Sequence, residues 1–366
     1  MNYQGTLETP VGPRVRIDGK EYDYFCGTSY YCLHGDRRII EAACKAAEQY
    51  GLGPATSWDV PPLQEVEARA AAFFGTTHAH YFVTAYLGTF YLVTALQDEF
   101  DIIFVDTKSH YSVFDGIKGV GKPIVLFAHL DPDDLAQQLQ KHLKAGQVPL
   151  VITDGVFPMT GAMAPLRDYQ SILQKYDKYF LCVDDSHGVG VLGANGRGSC
   201  ELHGVMGDSV YFCGTTSKAF GSFGGIIPGD TVLMGKIFRN VRVTLGASPP
   251  PVPAAAAAAM GIKILSEEPE LRAMLARNVA YLRKKLQAIG LPIQNSPVPI
   301  IILYSLPSVD LAAVQRFLEE QGIMVRYIPP RGYSDAPDSD AIKITIFAQH
   351  TVEQLDRLVE VLSRAL

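Results

Sequence analysis

Between residues 79 and 213 the chain alternates short apolar runs with longer amphipathic stretches. The runs at 79–84, 102–105, Ile124–Phe127, 150–153, 179–183 and 209–213 are rich in β-branched and aromatic residues, which predicts strands. The stretches at 86–98, 112–119, 132–145 and 168–176 repeat their apolar positions at helical spacing. Strands that read as continuous apolar runs, with helices between them, predict a mostly parallel sheet covered on both faces. In open sheets of this α/β class, ligands bind outside the carboxyl ends of the strands. The residues just past each run are therefore the ones to inspect.

The flanks carry a different pattern. Arg14–Ile17 and residues 22–25 predict two short strands around the Asp18-Gly19 turn. Helices are predicted at Arg37–Tyr50, closed by Gly51-Leu52-Gly53-Pro54, and at 63–74, stopped by Gly75. Pro249-Pro250-Pro251-Val252-Pro253 reads as a rigid break that opens an alanine-rich helix, interrupted near Pro269 and reaching Ile289. Strands at 298–304, 323–327 and 341–347 and helices at 309–320 and 352–365 complete the chain, and Thr351 with Gln354 has capping-box spacing for the last helix. The expected organisation is an N-terminal arm over 1–36 that packs with the small domain, a large domain over 37–253 and a smaller C-terminal α/β domain over 254–366.

Composition narrows the picture. Hydrophobic residues at 48% and charged residues at 19% fit an ordinary globular protein. A formal net charge of -6 argues against a nucleic-acid partner, which needs a basic face. No apolar run reaches the roughly 18 residues of a membrane span, and residues 1–5 lack the charged start and apolar core of a signal peptide. Six scattered cysteines without a CxxC pair predict free thiols, no metal site and a cytoplasmic setting.

Two strand ends carry chemistry. The run at 179–183 leads into Asp184-Asp185-Ser186-His187. The run at 209–213 leads into Thr215-Thr216-Ser217-Lys218, followed by the glycine-rich Gly221-Ser222-Phe223-Gly224-Gly225. A lysine at a buried strand end either reaches solvent or loses its proton and attacks a carbonyl. Taken alone, Lys218 fits both readings. Gly188-Val189-Gly190-Val191-Leu192-Gly193 matches GxGxxG, but a dinucleotide site needs a helix opening inside the motif. The following Ala194-Asn195-Gly196-Arg197-Gly198 is a poor helix, which argues against a nicotinamide cofactor.

Three segments, Val183-Asp184-Asp185-Ser186-His187-Gly188, Gly196-Arg197-Gly198-Ser199-Cys200 and Thr215-Thr216-Ser217-Lys218-Ala219-Phe220-Gly221, closely resemble the α-oxoamine synthases. These are pyridoxal 5'-phosphate (PLP) enzymes with the fold of type I aminotransferases. The resemblance runs from Gly19-Lys20-Glu21-Tyr22 to the final helix. It implies that Lys218 is the Schiff-base lysine, that Asp184 keeps the pyridine nitrogen protonated, that His187 lies beside the phenolic oxygen and that His110 stacks on the ring. It also implies that Thr215 binds phosphate together with the 84–86 loop, where Thr84, Ala85 and Tyr86 serve through backbone amides at a helix start. Thr84 reads equally as a plain helix cap. Residues 243–248 correspond to a segment that reaches the neighbouring subunit's phosphate, which implies a homodimer.

The substrate side departs from the family pattern. An asparagine is replaced by Thr28, a serine by Pro158, a carboxylate-clamping arginine by Lys343 and a histidine by Leu63. Lys343 keeps a positive charge without the planar two-point fork, and Arg326 or Arg331 offers another cation. The expected activity is a cytoplasmic PLP-dependent C-acyltransferase that condenses an amino acid with an acyl thioester, with loss of the carboxylate and an altered carboxylate pocket. Thr28, Lys343 and Arg326 are the expected substrate residues. The alternatives are an aminotransferase or lyase on the same scaffold, or a PLP-binding protein without catalysis.

Overall fold

The computed structural model describes residues 5–55 and 58–366. Residues 1–4, read above for a leader, lie outside them. Among the described residues the strands are β1 (Arg14–Ile17), β2 (Lys20–Tyr24), β3 (His78–Phe82), β4 (Ile102–Asp106), β5 (Ile124–Phe127), β6 (Pro149–Asp154), β7 (Phe180–Asp184), β8 (Val210–Thr215), β9 (Gly225–Gly229), β10 (Ile300–Tyr304), β11 (Ile323–Met324), β12 (Arg326–Ile328) and β13 (Ala341–Thr345). The chain divides into two compact units. The larger holds Arg38–Phe157 and Ala162–Ser266; the smaller holds the residues up to Arg37, Pro158–Gly161 and Glu267–Leu366. The expected boundary at residue 254 falls inside the helix Val252–Glu267, all but the last residue of which lies in the larger unit.

The larger unit is built on a seven-stranded sheet in the order β3-β9-β8-β7-β6-β4-β5. Neighbours from β8 to β5 pair in parallel, and β9 runs antiparallel to both β8 and β3. Every residue of β4, β6 and β7 is buried. Alternate residues serve opposite faces, as the two-residue repeat of a strand requires. Ile103, Val105, Ile152 and Cys182 join Leu92, Leu96 and Ile237 on one face. Phe104, Val151, Leu181 and Val183 join Leu135, Leu166 and Leu173 on the other. Two-sided burial is why these strands read as unbroken apolar runs.

Three of the differences from the pattern reading bear on the sheets. The strand β9, Gly225-Ile226-Ile227-Pro228-Gly229, was hidden by its glycines and proline. It is tolerated because β8 pairs only with Gly225 and Ile226, leaving Pro228 an edge-like side. The helix Thr231–Asn240 that follows was also missed; Asp230 caps it by accepting from Leu233 N at 2.7 Å. The strand expected over 323–327 is two strands in different sheets, with Val325 as the joint.

In the smaller unit, β2 pairs with β1 and takes β11 in parallel on its other side, with Ile323 opposite Asp23. The central strand of the second sheet is β13, between β10 and β12 and antiparallel to both. The capping box at Thr351 and Gln354 forms as expected. Gln354 Nε2 also donates to the buried Asp23 at 2.8 Å, and Arg357 pairs with the same carboxylate. The last helix is thereby tied to the amino-terminal arm. Among the described residues no helix is long and apolar enough to cross a membrane.

The alanine-rich run has a packing reason. Ala255, Ala257, Ala258 and Ala259 are buried, and a Cβ built on Gly261 would lie 1.9 Å from the Phe220 carbonyl oxygen. Only small residues let this helix approach the Lys218 loop, which Ser222 also fastens by donating from Oγ to Ala254 O at 2.8 Å. Gly261→Ala gains roughly 1 kcal/mol in helix propensity, yet overpacking against backbone costs about 1–3 kcal/mol. The expected net result is a lower melting temperature; a variant that melts above the parent would contradict the close approach.

Candidate active site

Six strand ends point to one edge of the larger sheet, since β5, β4, β6, β7 and β8 are parallel and β3 shares the direction of β8 through β9. The predicted cofactor residues lie on this edge. Residues 84–86 follow β3, His110 follows β4, Asp184 ends β7 with His187 just beyond, Thr215 ends β8, and Lys218 follows it. Each strand must stop where its apolar run stops, so the first polar residues past the core collect on one line.

His110 caps the helix Tyr111–Ile117. Ser112 N donates to its Nδ1 at 3.2 Å, which places the ring's own proton on Nε2. Ser112 Oγ lies 2.7 Å from the same Nδ1 and 3.3 Å from Asp184 Oδ2. One hydroxyl proton thus serves two acceptors and links the imidazole to the carboxylate. Ser186 donates to Asp184 Oδ1 from both N at 3.2 Å and Oγ at 2.6 Å. The His110 amide donates to Asp154 Oδ2 at 2.9 Å. Both Asp184 and Asp154 are buried, as is His187 in the turn after β7.

Burial pushes the Lys218 ammonium down to about 8, against the pull of Asp184 and Asp154, which favour the charged form. An amine at that value is partly neutral near pH 7, on the order of a hundredfold more so than an ordinary lysine. The loop before it is tightly bonded. Thr215 Oγ1 sits 2.7 Å from Ser217 Oγ, accepts from Ser217 N at 3.1 Å and donates to Gly224 O at 3.2 Å. Thr84 accepts weakly from Tyr86 N at 3.4 Å, capping the turn Ala85–Leu87 that leads into the helix Gly88–Ala95. Gly225 and Gly88 let this loop sit close to the sheet. A Cβ on Gly225 would be 2.8 Å from Ala85 Cα, and one on Gly88 would be 2.5 Å from Cys213 Sγ.

Behind Asp184 lies the second carboxylate of that strand end, to which the sequence reading gave no role. Asp185 is fully buried and accepts from Ser199 N and Ser199 Oγ, both at 2.6 Å. Gly155, Gly188 and Gly198 surround it; an added Cβ on any of them would fall within 2.3 Å of its carboxylate oxygens. The pair closes the turns of 186–198, so the GxGxxG stretch is a wrapping around a buried carboxyl and not a helix opening. Burial outweighs the two Ser199 bonds and raises the Asp185 carboxyl to about 7. Asp154 was also missed, although it obeys the rule that flagged Asp184, a carboxylate at the end of an apolar run.

Thr28, Lys343 and Arg326 belong to the smaller unit. Thr28 is half-buried in the turn after β2. Lys343 is buried in the middle of β13, and its Nζ donates to Pro158 O at 2.6 Å. Arg326 is half-buried and sits directly across the ladder from Lys343. Arg331 pairs at the surface with Asp338 at 3.0 Å. Leu63 packs with Tyr50, Val60 and Ala256 in the larger unit. Among the described residues, no cluster of His, Cys, Asp and Glu has the makings of a metal site.

Residues 28–362 match the family model described as aminotransferase class I and II. The chain is 33% identical to 8-amino-7-oxononanoate synthase 1 of Bacillus velezensis, over 98% of this chain and 92% of that one. It is 32% identical to a serine palmitoyltransferase of Bacteroides ovatus, over 99% and 92%. A solved structure of a serine palmitoyltransferase variant from S. paucimobilis, with a bound PLP–myriocin aldimine, superposes with a TM-score of 0.90 at 26% identity and covers 99% of this chain and 92% of that one.

The Asp185 carboxyl yields a pH test. Its folded value lies above its unfolded one, so its contribution to stability is full below pH about 4 and is lost as pH rises through about 7. Asp185→Asn removes this titration. Between pH about 4 and about 8 the wild type is expected to lose up to about 4 kcal/mol relative to the variant, read from urea unfolding across the range. Parallel pH dependence in the two proteins would count against it.

Proposed function

The chain belongs to the aminotransferase class I and II family, and from that premise we propose that it is a PLP-dependent C-acyltransferase of the α-oxoamine synthase type. It joins an amino acid to an acyl thioester and releases an amino ketone, with loss of the carboxylate. The observation that carries this reading is Lys218, an amine held below its ordinary pKa beside the buried carboxylates Asp184 and Asp154.

The residues of the larger unit fit the cofactor. A partly neutral amine suits its aldehyde, a buried carboxylate suits its ring nitrogen, and the side-chain-free approach at Gly225 brings the amides of 84–86 to a helix start that suits its phosphate. When bound, PLP supplies an electrophilic carbon and a ring that draws off negative charge from the substrate carbon. Lys218, partly neutral, would be the amine that meets the aldehyde and the base at hand for the substrate's α-proton. Asp184, oriented by Ser112 and Ser186, would keep a proton on the ring nitrogen. His110, its tautomer set by Ser112 N, would lie against the ring, and His187 would sit by the phenolic oxygen. Thr215 and the amides of Ala85 and Tyr86 would hold the phosphate.

On the substrate side, Thr28, Pro158, Lys343 and Leu63 point to an amino acid or carboxylate geometry other than the family's usual one. We also place the chain in a homodimer. Leu52, Trp58, Tyr86, Tyr111, Phe223 and Leu245 are large and exposed in the larger unit. Val252 N bonds to Leu52 O, and Ser222 bonds to Ala254 O, so the Leu52 and Phe223 segments meet at one helix start. Exposed apolar side chains at and around such a meeting point are expected to be covered by a second copy. Light scattering is expected to give twice the chain mass; a monomer at micromolar concentration would reject the dimer.

Reaction class is tested with the purified holoenzyme, amino acids and acyl-CoA. Ketone product appearing only when both are present is expected. Conversion of the cofactor to its amine form by an amino acid alone would favour an aminotransferase. Lys218→Ala is expected to abolish the borohydride-stable protein–cofactor adduct and to lower turnover by roughly a hundred- to ten-thousandfold. Covalent capture of PLP by the wild type is expected to speed up as pH rises through about 8, where Lys218 gives up its proton. An adduct that persists in Lys218→Ala would refute the assignment.

A further inference from the structure

We infer that Asp154 is a positioning residue of the strand-end site, which hangs the backbone of His110 from the neighbouring strand and keeps a fixed negative charge beside Asp184. The inference rests on the reading above that His110 lies against the ring of bound PLP.

In the parallel pairing of β6 with β7, Asp154 stands directly opposite Asp184, so the two carboxylates leave the same face of the sheet. They lie two residues past Ile152 and Cys182, which pack on that face with Val113 and Ile117 of the helix Tyr111–Ile117. Both carboxylates reach the start of this one helix. Asp184 Oδ2 accepts from Ser112 Oγ at 3.3 Å, and Asp154 Oδ2 accepts from His110 N at 2.9 Å. Between them, His110 Nδ1 meets Ser112 N at 3.2 Å and Ser112 Oγ at 2.7 Å. The chain Asp154–His110–Ser112–Asp184 is closed into a ring by the β6–β7 ladder. Ser112 sets the imidazole's tautomer, and Asp154 sets the backbone from which the imidazole swings.

Holding a backbone amide does not by itself call for a charge. An asparagine carbonyl would accept from His110 N as well, whereas a carboxylate only 4% exposed is costly to bury. Asp184 on the next strand adds a like charge, which raises that cost. The cation that answers both is Lys218, whose ammonium Asp184 and Asp154 favour against the pull of burial. Asp154 thus has two duties, a hydrogen bond to His110 and a charge toward Lys218. Substitution separates them: asparagine keeps the acceptor and removes the charge, and alanine removes both.

The test measures PLP affinity by absorbance titration, and the pH at which borohydride-stable capture speeds up, in the full-length protein. Wild type is compared with Asp154→Asn, Asp154→Ala, His110→Ala and the double variant. Asp154→Asn is expected to hold PLP within about twofold of wild type, while its capture speeds up about one pH unit lower, because a charge favouring the ammonium is gone. Asp154→Ala and His110→Ala are each expected to weaken PLP binding roughly tenfold. The double variant should be no weaker than the weaker single variant by more than about twofold, since both losses pass through one imidazole. Losses that add, an asparagine variant as weak as the alanine one, or a pH dependence unmoved in Asp154→Asn would overturn the inference. Should Asp154→Ala fail to fold, the near-isosteric Asp154→Asn decides by its pH dependence. A wild type that forms no adduct with PLP overturns the proposed cofactor chemistry and this inference with it; a wild type that forms the adduct and gives additive losses overturns the inference alone.

Discussion

Charge held away from water at the end of a strand is the constraint on which the larger unit depends. Asp154, Asp184 and Asp185 are buried where the apolar strands stop, and Lys218 stands half-buried three residues past β8. Each must be answered by something local, and the answers are specific. Asp184 takes bonds from two serines, Asp185 takes both donors of Ser199, Asp154 takes a backbone amide, and Lys218 is answered by giving up part of its charge. The same desolvation that makes these groups expensive makes the amine reactive. Stability and chemistry on this edge therefore have a common physical origin.

Much of the larger unit was legible in the chain because its strands are buried on both faces and read as apolar runs. The elements that escaped broke that rule. Gly225-Ile226-Ile227-Pro228-Gly229 carries turn residues within a strand, permitted only because one side of it is open at Pro228. Val325 is a single residue, too short a signal to reveal that the chain leaves one sheet for another. At the site, Lys218, Asp184 and His187 were legible from residue type and position after a strand. Ser112 and Asp185 were not, because their significance lies in partners far along the chain or in glycines whose only mark is the absence of a side chain.

The departures from the family pattern at 158 and 343 looked independent in the sequence. In the fold they touch, carbonyl to ammonium. A proline keeps its carbonyl but has no N–H to offer, and a lysine supplies one concentrated charge where an arginine spreads its charge over a fork. Read together, the two residues amount to one change in how a short segment is held. Counting them as separate signs of drift in the substrate pocket would count one event twice.

The parallel pairing of β2 with β11 joins Asp23 to Ile323, roughly 300 residues apart along the chain. During synthesis the β1–β2 hairpin emerges long before β11 and has an unpaired edge until β11 is made. An edge left open that long is a place for mispairing. Lys20, Glu21 and Asp23 put charge on β2, which discourages foreign strands while the proper one is awaited. The amino-terminal arm is thus the earliest part of the smaller unit to be made and among the last to find its place.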